Sequence, residues 1–157
     1  MDKILVVDDN RQIADFLAYK VLPNLGYKGS VAYTGSRALK LIQESCQQLS
    51  LVILDWQLPD MTGLDILAQM KNQNIVLPSI IITGEGSEEV AVEALRLGVQ
   101  DYLIKPVDTD VLAESIDRAL EMNRLRNQKA ILTTRLKHQL SWMSEISKIG
   151  LHITASL

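Results

Sequence analysis

The sequence predicts an α/β domain, a parallel sheet covered by helices on both faces, followed by a helix too long to belong to that domain. Three observations carry this. Short apolar, β-branched runs alternate five times with helical patterns within about 120 residues, which is the signature of successive βα units. Acidic and other polar residues suited to chemistry stand at the ends of those runs. From Asp108 to about Lys148 the chain contains neither Gly nor Pro.

The first run, Lys3 to Val7, stops abruptly at Asp8-Asp9-Asn10. Ile13, Phe16, Leu17, Lys20 and Val21 then recur at helical spacing, so a strand is followed by a helix capped near Asn10. The pattern repeats with a strand over Tyr27 to Tyr33 and a helix over Gly35 to Gln47. Next come a strand at Leu51 to Leu54, a helix at Gly63 to Lys71, a strand at Ser79 to Ile82 and a helix at Glu88 to Leu97. Asp101 to Ile104 is the fifth strand, and a fifth helix begins near Asp108. Gly26, Gly98 and the Leu77-Pro78 step punctuate the helix ends.

That fifth helix has two parts. Val111, Leu112, Ile116 and Ala119 are spaced to pack on the sheet. From Met122 the pattern becomes Met122, Leu125, Lys129, Leu132, Leu136, Gln139, Met143 and Ile146, six of the eight apolar, alternating by three and four as in a coiled-coil seam. At about 1.5 Å per residue this part adds roughly 40 Å. Charge divides at the same place. Residues 1–117 hold 9 Lys/Arg against 17 Asp/Glu, net −8, whereas residues 118–157 hold 7 against 2, net +5. The sequence therefore divides into a domain over 1–121, a coiled-coil linker over 122–149 making a homodimer, and the start of a further domain over 150–157.

Composition bounds the function classes. At 157 residues, 47% hydrophobic and 22% charged, there is room for one ordinary domain and an appendage. The longest apolar runs fall far short of the roughly 20 residues of a membrane span. No signal sequence precedes them, so a cytoplasmic protein without a membrane partner is expected. Cys46 is the only cysteine, which rules out an intramolecular disulfide or a cysteine-based metal site.

In an open parallel sheet, ligands bind beyond the carboxyl ends of the strands. Asp8 and Asp9 follow the first strand, Asp55 ends the third, Thr83 follows the fourth and Lys105-Pro106 follows the fifth. The result is one acidic crevice with a hydroxyl and an ammonium on its rim. Clustered carboxylates repel unless a cation neutralises them, and an all-oxygen set suits Mg²⁺, with Mn²⁺ as a substitute. A carboxylate flanked by a metal and a lysine can accept a phosphoryl group as an acyl phosphate. Asp55, central among them, is the expected acceptor, with Lys105 and Thr83 bonding separate phosphoryl oxygens.

This order of residues resembles the receiver domain of response regulators, over residues 1 to about 121. The resemblance implies a flavodoxin-like fold of strand order 2-1-3-4-5. It also implies roles: Asp9 on Mg²⁺ directly, Asp8 largely through water, Asp55 by its carboxylate and Gln57 by its backbone carbonyl. Lys105 would pair with the phosphoryl group, its Lys105-Pro106 peptide cis, and Thr83 with Tyr102 would form the switch pair. Phosphate would come from a sensor histidine kinase or histidine phosphotransfer protein. Trp56 stands where the family more often has an aliphatic residue, and Gln57 and Glu85 occupy positions that tune dephosphorylation. The tail from Ile146 to Leu157 resembles the leading helix of a GAF sensor domain.

Two other classes compete with a signalling module. A phosphatase or phosphotransferase of the haloacid-dehalogenase type would also use an aspartyl phosphate, but it places a second Asp two residues after the nucleophile, where this chain has Gln57. A receiver kept only as a dimerisation scaffold would not need the complete acceptor set. The chain is thus expected not to be an enzyme beyond accepting its own phosphoryl group. His138 lacks the acidic neighbour of a phosphorylated histidine, since the run is Lys137-His138-Gln139-Leu140. The basic stretch Arg124 to Lys137 lacks the aromatic interleaving of a nucleic-acid site, so no nucleic-acid partner is expected.

Overall fold

The computed structural model describes residues 1–84 and 86–155, with side chains through Ile149. Glu85, His152 and the rest of the GAF-like tail beyond Ile149 lie outside the described side chains. The five strands are β1 (Lys3–Val7), β2 (Lys28–Ala32), β3 (Leu51–Asp55), β4 (Ser79–Thr83) and β5 (Asp101–Ile104). All pair in parallel, in the order β2-β1-β3-β4-β5. This is the expected flavodoxin-like order, and it puts β1 and β3, which carry Asp8, Asp9 and Asp55, side by side.

The sequences of β1, β3 and β4 are apolar nearly throughout because both faces are covered, whereas the edge strands β2 and β5 are only partly buried. Ile4, Val6, Leu51, Ile53, Ile80 and Ile82 pack on one side with Ala14, Leu22, Leu112 and Ile116. Leu5, Val7, Val52, Leu54 and Ile81 pack on the other with Ala38, Ile42, Ile66, Leu67 and Ala94. Burying each such Leu or Ile is worth about 1.5–3 kcal/mol. Alternation along a strand thus feeds two cores and leaves polar chemistry only where the strands stop.

The helices are α1 (Arg11–Phe16), α2 (Gly35–Ser45), α3 (Gly63–Asn72), α4 (Glu88–Arg96) and α5 (Thr109–Ala155). Four start with a side chain on a backbone N–H: Asn10 accepts from Ile13, Thr34 from Arg37, Thr62 from Asp65 and Ser87 from Val90. Thr62 and Asp65 form a reciprocal capping box. Gly26 and Gly98 both take positive φ, +91° and +86°, the left-handed geometry expected after a helix.

Three details differ from the sequence reading. The first helix is not uniform: α1 runs into a π-helical turn, Leu17–Val21, and then into a short helical piece, Leu22–Asn24. Pro23 has no N–H to continue the ordinary ladder, and Leu22 N–H instead reaches Leu17 O, five residues back. Val111 is 46% exposed and does not pack on the sheet; Leu112, Ile116, Ala119 and Leu120 do. Finally, α5 continues past Lys148 through Gly150 to Ala155, since one isolated glycine weakens a helix without ending it.

The chain separates into two compact units, Met1–Leu120 and Glu121 onward. In the second, the seam residues Met122, Leu125, Leu132, Leu136, Met143 and Ile146 are all exposed, as is His138. Among the described residues, no helix is long and apolar enough to cross a membrane.

Candidate functional site: an acidic crevice at the strand ends

Asp8 leaves β1 with its backbone N–H on Ala32 O and its Oδ1 accepting from Asn10 N–H at 2.9 Å. Those bonds hold a carboxylate that is almost wholly buried. Asp55 closes β3, where Gly63, the first residue of α3, comes so near that a Cβ there would stand 2.7 Å from Asp55 O. The intervening loop is drawn tight by Gly63 N–H to Trp56 O and by the bridge between Gln57 and Thr62. Asp60 fastens the loop from outside: its carboxylate accepts from Ser36 N–H at 2.9 Å and Gly35 N–H at 2.8 Å. Those two backbone donors hold the Asp60 carboxyl below the usual carboxylate range.

Asp8, Asp9 and Asp55 each bring an oxygen to within 4.8 Å of the others. Three anionic oxygens so disposed are the donor set of a hard divalent cation. Lys105 enters from the end of β5, across a cis Lys105-Pro106 peptide as expected. Its Nζ donates to Asp8 Oδ2 at 2.8 Å and to Asp55 Oδ2 at 3.2 Å. Burial raises the Asp55 pKa and the nearby charge of Asp8 raises it further, with Lys105 opposing. Burial works against the Lys105 ammonium, but bonds and charges from Asp8 and Asp55 outweigh it and hold its pKa above the ordinary value.

Thr83 requires a correction. Expected just after the fourth strand, it is instead the last residue of β4, and at 2% exposure it is beneath the rim, not on it. Tyr102, on β5, packs its ring against the core cluster on the α2, α3 and α4 side. Its hydroxyl is buried and has no hydrogen-bond partner among the described residues. An orphaned buried hydroxyl costs about 1–3 kcal/mol of desolvation with nothing in return. Tyr102→Phe is therefore expected to leave the thermal midpoint unchanged or raise it by a few degrees. A clear fall would show that the hydroxyl has a partner in solution.

The sequence reading anticipates the meeting of Asp8, Asp9, Asp55 and Lys105 at one sheet end and Thr83 at the close of β4; Gln57 lies in the loop after β3 and Tyr102 partway along β5. That reading misses Asp60, whose two partners lie 25 and 24 residues away in sequence.

The profile of the response regulator receiver domain matches residues 4–117. The chain belongs to the response regulator receiver family. Among curated relatives, a putative NtrX-like response regulator of Rickettsia bellii is 36% identical over 135 residues, 85% of this chain and 28% of that protein. The transcriptional regulatory protein ZraR of Salmonella typhimurium is 40% identical over 121 residues, 77% of this chain and 27% of that one. The chain thus spans little more than a quarter of these relatives. Among solved structures, a response regulator receiver domain protein from Clostridium thermocellum superposes with a TM-score of 0.75 at 31% identity, covering 80% of this chain and 98% of that one. NtrX from Brucella abortus gives 0.74 at 36% identity, covering 83% and 29%. The receiver is the phosphoacceptor module of two-component signalling, and the matched region holds the whole crevice described above.

Proposed function

We propose that Asp55 is the phosphoacceptor of this receiver and that Lys105 and Thr83 assist transfer to it. The observation that carries this is the convergence of Lys105 Nζ on both Asp8 and Asp55. A Mg²⁺ or Mn²⁺ ion held by Asp8, Asp9, Asp55 and the Gln57 backbone carbonyl would screen negative charge on a transferring phosphoryl group. Lys105 is the cation placed to hold a phosphoryl oxygen once the metal has taken over Asp8. Thr83 and Tyr102 are the proposed switch, the Thr83 hydroxyl moving toward the phosphoryl group and the Tyr102 ring, packed against the core cluster, taking the inward position.

The donor is a sensor histidine kinase or histidine phosphotransfer protein in the cytoplasm. Supporting this, a groove of about 530 Å³ lined by Ile13, Phe16, Leu17, Pro106 and Val107 borders Lys105. It fits the apolar face of a helix presenting a phosphohistidine. Incubation with acetyl phosphate and Mg²⁺ is expected to add one phosphoryl group by intact mass, and EDTA to prevent it. No addition, or addition indifferent to EDTA, would sink the reading.

In our reading the domain spans 1–121, the linker 122–149, and 150–157 begins a following domain. The linker joins two copies along its Met122 to Ile146 seam. A helix rich in Lys, Arg and Gln is marginal alone, and its apolar stripe needs cover. Lys129 and Gln139 in the seam weaken the pairing and restrict its register. Leu132→Asp or Leu136→Asp is expected to shift sedimentation equilibrium toward monomer without affecting phosphorylation, and Lys129→Leu to tighten the dimer. A monomer at every concentration, unchanged by Lys129→Leu, would refute the seam.

A further inference from the structure

Arg11 lies in the first turn of α1, two residues after Asp9, so that their Cα atoms are at most about 7 Å apart. Its side chain is exposed, yet it is not loose. The guanidinium carbon sits 4.4 Å from the centroid of the Tyr33 ring, just beyond β2. The ring is held in turn, because Tyr33 Oη donates to Asp15 Oδ1 at 2.6 Å. That bond has a second effect. Asp15 is four residues along the same helix from Arg11, where opposite charges ordinarily pair, and its carboxylate is turned to the phenol instead. Among the described residues, Arg11 makes no ion pair or hydrogen bond. Its guanidinium is held over a ring and exposed, on a residue whose backbone stands two positions from the Asp9 of the carboxylate cluster.

A small phosphodonor meets an electrostatic obstacle here. It is a dianion, and the three carboxylates Asp8, Asp9 and Asp55 cancel the charge of a bound divalent cation and of Lys105, leaving no net pull on an approaching anion. We infer that Arg11, positioned by Tyr33, is the cation that captures the phosphoryl dianion of a small acyl phosphate and so sets how fast Asp55 is loaded. The guanidinium fork matches phosphoryl oxygens bidentately and gives up its hydration more readily than an ammonium. The chemistry after capture is unchanged. An Asp55 carboxylate oxygen forms a bond to phosphorus, the bond from phosphorus to the acyl oxygen breaks, and acetate leaves with the electron pair.

This inference rests on Asp55 as acceptor, and the experiment separates the two. The second-order rate constant for labelling by acetyl phosphate at saturating Mg²⁺ is measured at low and high ionic strength for wild type, Arg11→Ala, Arg11→Lys and Tyr33→Leu. Arg11→Ala is expected to be about three- to tenfold slower at low salt and to converge on wild type at high salt, as screening removes a capture effect. Arg11→Lys should fall between, and Tyr33→Leu should lose part of the same advantage because the arginine is no longer held. Mg²⁺ affinity, measured by isothermal titration calorimetry, should not weaken in Arg11→Ala. Equal rates at low salt, or a deficit that salt does not change, would overturn the capture role while leaving Asp55 in place. Wild type that takes no label at all would overturn both.

Discussion

Asp55→Asn is expected to abolish phosphoryl addition and, in the absence of divalent metal, to raise the thermal midpoint. The first half follows from chemistry. An amide oxygen is a poor nucleophile toward phosphorus, and Asp8, which shares the cluster and Lys105, is the more deeply buried of the two, with its Oδ1 already accepting from Asn10 N–H. Residual labelling at the wild-type rate would remove Asp55 from its role. The second half follows from linkage. The Asp55 pKa is raised by burial and by Asp8, so the folded protein holds a proton that the unfolded chain has already released. Between the unfolded value and the raised folded value, stability falls as pH rises, and above that window the loss is complete.

Asparagine does not titrate and so does not incur this loss, while its Oδ1 can still accept from Lys105. The gain should therefore be present at neutral pH and shrink as pH drops through the window toward the unfolded carboxylate value. Metal reverses the ranking, because Mg²⁺ stabilises a folded wild type that binds it more tightly than the variant does. Thermal melts in EDTA and in Mg²⁺ across pH 4 to 8 check both signs. A variant less stable than wild type in EDTA at neutral pH would mean that Lys105 more than offsets the burial and repulsion at Asp55.

What the sequence disclosed and what it hid divide along physical lines. The strands β1, β3 and β4 were legible because a strand buried on both faces must be apolar along its length and must end where polarity begins, while the partly exposed β2 and β5 were legible from their place in the alternation. The crevice was legible for the same reason: Asp8, Asp9, Asp55 and Lys105 stand at those ends, and the sheet order brings them together. Thr83 shows the limit, since a residue at a strand end can lie just under the surface, and local polarity does not report depth. Asp60 shows another, because its role is to receive Gly35 and Ser36 N–H from a loop fixed only by the tertiary fold. The burial of the Tyr102 hydroxyl and the placement of Arg11 over Tyr33 depend on side-chain packing that no periodicity encodes. The π turn was hidden in a different way. Pro23 was visible, but whether a proline ends, kinks or widens a helix depends on what packs against it.

That packing makes Gly29 the position where a single methyl group is expected to do the most damage to the fold. Gly29 lies in β2, paired with Ile4 of β1, and faces the π turn Leu17–Val21. A Cβ there would stand 2.0 Å from Ala18 O and 2.6 Å from both Ala18 C and Ala18 Cα. All three are backbone atoms of a fully buried residue, so no side chain can swing aside. Relief requires β2 or the whole turn to move, and β2 holds β1, whose end carries Asp8 and Asp9. Overpacking of side chains costs about 1–3 kcal/mol, and a backbone clash belongs at or beyond the top of that range. For a domain of this size about 3 kcal/mol lowers the thermal midpoint by roughly 10 °C or more. Gly98→Ala supplies the comparison. Gly98 has a positive φ of +86° but nothing within 4 Å of a Cβ, so its substitution costs only the strain of a left-handed alanine, about 1 kcal/mol. Gly29→Ala should therefore melt well below Gly98→Ala, and labelling of Asp55 in the surviving folded fraction should be slowed as well, because the Asp8 and Asp9 carboxylates move with β1. Equal midpoints for the two variants would mean that β2 can draw away from the π turn at little cost, and that the close approach at Ala18 is not what keeps residue 29 a glycine.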